Sequence, residues 1–371
     1  MERMPENIRS VITSLVEDLK SRGSVISIGL FGSWSRGEAA ESSDVDLLVV
    51  DGRNLSYEYV ERAEIDDIFL DLNYVPEKWV LRDFPPEIDQ KIYEVEILHD
   101  SNGTLERAKN TMLKIMWLPE RVEIRTGKYL VEADILLSRG LSAFGREDYQ
   151  SAKLNAALGL ETIMNIMIEV NQISFSNSRY VRALEASAKK LDLKKVYDEY
   201  LKIMGLAKVS RKDAERIFKD FVDMWSSSID FVEVNSPIVE SLHEEIMNNL
   251  NFYCKRSFLR GIAARIRSLL QEGFSVEAAH YMLRASVSML ENYAWLLAKI
   301  EGTRFDYTGL LGHLKDSKVS SSMVYEKALE VLMLKEVSLQ DAQASLEKAR
   351  EIVLNIRKKR KDLIAHMPTQ Q

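Results

Sequence analysis

Apolar side chains recur at Ile8, Val11, Ile12, Leu15, Val16 and Leu19, the spacing of one buried helix face, and Gly23 stands where such a helix would stop. Beyond it the rhythm shortens. Residues 24–31, 45–50, 68–75 and 95–100 are rich in Val, Ile, Leu and Phe and predict four strands. Gly32-Ser33, Asp51-Gly52, Pro76 and Ser101-Asn102-Gly103 punctuate them. Between the second and third strands, residues 57–65 are expected to be helical. From Thr104 strand signals disappear and helical spacing runs to the end of the chain. It predicts helices over 104–117, 120–144, 148–171, 178–190, 193–204, 211–230, 238–270, 275–300, 320–335 and 339–365.

Two unlike parts follow from this pattern. Residues 1–105 alternate helices and strands and hold four of the seven prolines and six of the sixteen glycines. The remainder repeats itself weakly. Leu-Glu-Thr-Ile-Met-Asn-Ile-Met at 160–167, with Phe175 and Leu184, aligns without gaps to Leu-Glu-Asn-Tyr-Ala-Trp-Leu-Leu at 290–297, with Phe305 and Leu314. A duplication would split the helical part near residues 249–256 into two small bundles. The expected division is therefore 1–105, 106–253 and 254–371, in keeping with a chain of 371 residues.

Composition narrows the classes. A 46% apolar and 29% charged chain is an ordinary globular protein. No apolar run approaches the roughly 18–20 residues of a membrane span. The start, Met-Glu-Arg-Met-Pro-Glu, lacks the character of a signal peptide. One cysteine, Cys254, leaves no internal disulfide framework, and five scattered histidines include no pair at ligand spacing, against a zinc site. The expected setting is cytoplasmic. Residues 1–105 hold 10 basic and 22 acidic residues, a net of −12, whereas the rest carries a net of +5. So acidic an N-terminal part repels nucleic acid but welcomes a metal-bridged nucleotide.

The candidate chemistry lies in Gly32-Ser33 and, ten residues on, Asp44-Val-Asp46. Strand geometry puts the carboxylates of Asp44 and Asp46 on one face, where two like charges are costly unless a cation neutralises them. Asp71 sits mid-strand between Leu70 and Leu72, where an unneeded charge is expensive. Asp66 and Asp67 are alternatives that look like surface residues at the strand entry.

Phe31-Gly32-Ser33-Trp34-Ser35-Arg36-Gly37 followed by Asp44-Val45-Asp46 resembles the DNA polymerase β superfamily of nucleotidyltransferases, in its minimal and aminoglycoside-modifying forms. The resemblance implies an α+β protein: an N-terminal mixed β-sheet nucleotidyltransferase domain, then an all-α region of one or two helical bundles. It implies Asp44, Asp46 and Asp71 as catalytic carboxylates and metal ligands for two Mg2+ ions. Gly32 and Ser33 become phosphate contacts, and Arg36 either neutralises phosphate charge or braces the acidic turn. The implied reaction moves a nucleoside monophosphate, AMP from ATP, onto a hydroxyl of a small molecule or a protein, releasing pyrophosphate. In the antibiotic-modifying relatives a glutamate of the helical part takes the acceptor's proton. Glu161 is the candidate here, set against the plainer reading of a paired helix glutamate.

At the far end, Arg360-Lys361-Asp362-Leu363-Ile364-Ala365-His366 resembles the last helix of HEPN bundles, whose motif is an arginine followed four to six residues on by a histidine. Lys361 and Pro368 depart from the active ribonuclease pattern. The alternative function this carries is a non-catalytic regulatory or RNA-associated helical protein of toxin–antitoxin type, with a protein partner. The basic run 357–361 is either an RNA contact or a solvated helix end, where cations suit the dipole.

Overall fold

The computed structural model describes residues 4–40, 43–53 and 55–368. Glu41 and Ser42, in the spacer ahead of Asp44, and the first three residues lie outside that description. The chain begins α1 (Glu6–Ser21), β1 (Val25–Phe31), α2 (Gly32–Ser35), β2 (Val45–Asp51), β3 (Tyr59–Ile65), β4 (Ile68–Pro76), α3 (Asp89–Glu94), β5 (Glu96–Asp100) and α4 (Thr104–Ile115). The five strands form one sheet in the order β3-β4-β2-β1-β5. β2 and β4 run parallel and the other neighbours antiparallel, so the sheet is mixed.

Alternation along the strands builds two cores. Val45, Leu47 and Val49 of β2, with Leu70, Leu72 and Tyr74 of β4, meet Ile8, Val11, Ile12, Leu15, Val16 and Leu19 of α1. On the other face Leu48, Val50 and Val75 meet Ile92 of α3 and Leu105, Ala108 and Met112 of α4. Because α4 covers that second face, the compact unit holding the sheet runs past residue 105 to Arg121 and takes in residues Asn251–Arg265.

One element differs in kind from the sequence expectation. Residues 57–65 supply not a helix but β3, paired antiparallel with β4 through the turn Asp66-Asp67. Both turn residues have positive φ, 51° and 61°, the conformation a two-residue hairpin requires. Tyr59 faces Tyr74 in register and stacks on it, ring centroids 4.8 Å apart and 6° from parallel. That cross-strand pair is a stabilising contact which no helical spacing would reveal. Residues 79–94, assigned no element from the sequence, carry a π-helical turn (Trp79–Asp83), a 3-10 turn (Pro86–Ile88) and α3.

The chain continues through α5 (Pro119–Gly145), α6 (Tyr149–Val170), α7 (Tyr180–Lys190), α8 (Lys194–Ile203), α9 (Arg211–Val234), α10 (Ser236–Val239), α11 (Glu244–Tyr253), α12 (Arg256–Gln271), α13 (Ser275–Glu301), α14 (Leu310–Asp316), α15 (Ser322–Val331) and α16 (Leu339–Ala365). The helix expected over 238–270 is three, broken after Val239 and at Cys254-Lys255. Capping boxes, Ser210 with Asp213 and Ser338 with Asp341, start α9 and α16 and satisfy their first free N–H groups. The second compact unit comprises Val122–Leu250 and Ile266–Gln371. Within it α6 lies along α16 and α13 packs on α9, so helices from both sides of residue 253 share one unit. Among the described residues no helix is long and apolar enough to cross a membrane.

Candidate active site

Asp46 is the second residue of β2, and Asp44 stands just ahead of it. Since Val45, Leu47 and Val49 turn toward α1, the aspartates fall on the opposite face, with Leu48 and Val50. Parallel pairing then sets Asp71 of β4 directly beside Asp46. The structure thus brings the three carboxylates named from the sequence to one face of adjacent strands. Asp66 and Asp67 are exposed in the hairpin turn.

Across the sheet Phe31 pairs with Asp46, which puts Gly32 against the Asp46 carboxylate. Gly32 has φ +75°, and a Cβ there would lie 2.4 Å from Asp46 Oδ2. Its N–H donates to Glu94 Oε1 at 2.8 Å. Arg36 Nη1 donates to both Glu94 oxygens at 2.7 Å, and its Nε to Glu38 at 3.1 Å. Of the two roles open to Arg36, the geometry here is the bracing one. Ser33 lies half-buried in α2, directly after Gly32.

Sequence reasoning missed Arg62, on β3, and it is the most heavily engaged cation of the site. Its Nη2 donates to Asp44 Oδ1 at 2.9 Å, and its Nη1 to Asp71 Oδ1 and Oδ2 at 2.9 and 3.0 Å. Glu94, at the end of α3, was missed too. Reading 57–65 as a helix hid the first, and leaving 79–94 without an element hid the second. The available signals were the strand-like alternation of Tyr59, Glu61, Ala63 and Ile65, and Pro86 followed by acidic residues, a helix-start pattern.

Asp46 has a different environment. Among the described residues its carboxylate receives no hydrogen bond, and its carboxyl is pushed up to about 7, by burial first and the Asp44 charge next, against the pull of Lys91 and Arg265. No group of three or more His, Cys, Asp or Glu side chains among the described residues is gathered so as to hold a metal ion. Within the carboxylate trio, the Arg62 guanidinium stands between Asp44 and Asp71. The donor chemistry still fits a hard cation: all-oxygen ligands, and a half-buried Asp46 charge that no donor offsets.

In the second unit Glu161 is buried in α6. Its carboxylate binds His280 Nε2 and Arg284 Nε, each at 2.9 Å, and accepts from Tyr200 OH at 3.0 Å. Burial pushes the carboxyl up, but Arg284, His280 and Tyr200 outweigh it and hold it at about 2. So low an affinity for protons suits a structural anion and not a general base. Arg360 and His366 are not brought together either. Arg360 Nη1 donates to Glu123 O and Thr126 Oγ1 on α5 at 2.9 and 3.0 Å. His366 lines a cavity of about 560 Å³ with Lys190, Lys359 and Asp362.

Gly32→Ala is expected to cost roughly 1–2 kcal/mol of backbone strain and, beyond that, to force the Asp46 carboxylate aside. Gly23→Ala is its control, since Gly23 has φ +68° with nothing within 4 Å of a Cβ. Thermal unfolding should therefore show Gly32→Ala the less stable of the two. Equal losses in the two variants would contradict this account of the turn.

Residues 12–123 match the nucleotidyltransferase domain family. A stretch of 44 residues is 52% identical to the protein adenylyltransferase MntA of Thermococcus cleftensis. It covers 12% of this chain and 44% of that relative, so the chain spans less than half the length of the curated relative it matches. The crystal structure of a nucleotidyltransferase-like protein from Exiguobacterium sibiricum aligns over 88% of this chain and 89% of its own, at 14% identity and a TM-score of 0.33. Residues 12–123, which hold the mixed sheet and its carboxylate-bearing strands, are thus the part of the chain that matches a nucleotidyltransferase domain.

Proposed function

We propose that the protein transfers AMP from ATP, in a reaction dependent on Mg2+, to a hydroxyl group of a protein or small-molecule acceptor, with release of pyrophosphate. One observation carries the reading: Asp46 lies between Asp44 on its own strand and Asp71 in register on the next, with Gly32 pressed against it. Asp44, Asp46 and Asp71 would hold the Mg2+ ions. When bound, these ions neutralise triphosphate charge and lower the pKa of the attacking hydroxyl.

The chain's own groups supply the rest. Gly32, without a side chain, lets phosphate approach the backbone, and the Ser33 hydroxyl donates to a phosphate oxygen. Arg36 and Glu94 hold that turn in place. The acceptor oxygen attacks the α-phosphorus, the bond from the α-phosphorus to the bridging β-phosphate oxygen breaks, and Asp71 takes the hydroxyl proton. The 52% identical stretch of a protein adenylyltransferase supports AMP as the group moved and a protein hydroxyl as the first acceptor to try.

The test is incubation with ATP labelled at the α- or the γ-phosphate, with Mg2+ or with EDTA, in the presence of a proteome extract. Label from the α-phosphate should pass to an acceptor only with the cation, and γ-label should leave as pyrophosphate. Transfer of γ-label, or no transfer together with ATP binding indifferent to EDTA, would sink the proposal.

A further inference from the structure

Arg62 is gripped from both sides. Toward the sheet its guanidinium binds Asp44 and both oxygens of Asp71, occupying oxygens that a cation would need. On its other side lies the segment of α12 that belongs to the first unit. The guanidinium carbon sits 5.0 Å from the Phe69 ring centroid and 5.2 Å from that of Phe258. Gly261 is so close that a Cβ there would lie 2.3 Å from Arg62 Nη2 and 3.2 Å from Asp44 Oδ1. Lys255 Nζ, just ahead of α12, donates to the Arg62 carbonyl at 2.9 Å, and Arg260 pairs with Glu64, two residues along β3. Arg62 is 4% exposed, so this arrangement is built in and not a loose surface pair.

We infer that Arg62 is the resident counter-ion of the carboxylate site, released from Asp44 and Asp71 when a divalent cation binds, so that the α12 segment gripping it sets the cation affinity. The inference rests on the transferase reading and adds a residue to it. A single positive charge shared by two carboxylates keeps them together while no metal is bound. A divalent ion on the same oxygens repels that charge, and both cannot be held at full strength. The rings of Phe69 and Phe258 offer the displaced guanidinium a cation–π perch that does not depend on the carboxylates. Arg62 is thus a positioning residue that acts through Asp44 and Asp71.

Mn2+ titration of the full, metal-stripped chain, followed by electron paramagnetic resonance, tests this directly. Arg62→Lys keeps the charge but cannot grip two carboxylates as a planar fork does. It should bind Mn2+ at least tenfold more tightly than wild type, and it should melt lower without metal and gain more from Mn2+. Gly261→Ala leaves Arg62 in the chain yet presses its guanidinium off Asp44, so it should tighten binding several-fold. It decides the matter if Arg62→Lys does not fold. Wild-type or weaker Mn2+ affinity in these variants, in a protein that otherwise binds Mn2+ and transfers nucleotide, overturns the inference and leaves the transferase reading intact. A wild type that binds no Mn2+ overturns both.

Discussion

Asp46→Asn is expected to lower nucleotidyl transfer by about 10³-fold or more, the loss of several kcal/mol of charge stabilisation at the reacting phosphate, and at the same time to raise the melting temperature of the metal-free protein. The two effects share one cause. Asp46 stands beside Asp71 in register and two residues from Asp44, half-buried and with no hydrogen-bond donor on its carboxylate among the described residues. Asparagine keeps the shape that fits against Gly32 and removes only the charge, so like-charge repulsion falls and a burial cost disappears. Asp71→Asn should gain less or nothing: burial, Asp44 and Asp46 push the Asp71 carboxyl up as well, so its charge is also held at a cost, but its loss takes from Arg62 both oxygens that one side of the guanidinium grips. Both substitutions should lower transfer by about 10³-fold or more. Calorimetry in EDTA, run beside the α-label assay, separates them. If Asp46→Asn melts below wild type, the Asp46 charge is not held at a cost to the fold; if it retains activity, Asp46 is not part of the reacting centre.

The carboxylate trio was legible because each member follows from local rules. Period-two alternation fixes the face of Asp44 and Asp46, and the apolar neighbours of Asp71 mark it as a charge placed at a cost. Arg62 was not legible, for reasons equally physical. Its strand lacks a Gly or Asn at the hairpin turn and uses two aspartates at positive φ, so the usual hairpin signal is absent. Its partners are non-local: Asp44 lies 18 residues earlier, and the Lys255 donor 193 residues later. The break at Cys254-Lys255 contains neither proline nor glycine, so periodicity runs straight through it, yet that break is where Lys255 reaches β3. Arg360 and His366 show the converse. Six residues at about 100° each leave two side chains roughly 120° apart around a helix, and the structure sends them to different surroundings. For Glu161 the apolar run announced burial, and the plainer reading of a paired helix glutamate is the one its three partners describe.

Glu161→Gln is expected to destabilise the second unit by about 3 kcal/mol at pH 7, the worth of a carboxyl held roughly two units below its ordinary value. For a unit of this size that is a fall of roughly 6–12 °C in melting temperature. Glutamine can still accept the Tyr200 hydroxyl, but it leaves Arg284 and His280 facing a neutral group in a buried site. The sign with pH follows from the direction of the shift. A carboxyl depressed by folding contributes its full stability above the unfolded value near 4.5. That contribution is lost as the pH falls toward about 2, where the folded protein must also take up the proton. Wild type and Glu161→Gln should therefore differ most at pH 6–7, converge between pH 4.5 and 2, and unfold nearly alike at the acid end. Denaturant titrations across that range measure the gap. A gap that stays constant with pH would mean that Glu161 acts through packing alone. A variant as stable as wild type but slow in transfer would return Glu161 to the role of proton acceptor, which a carboxyl held near 2 is poorly suited to fill.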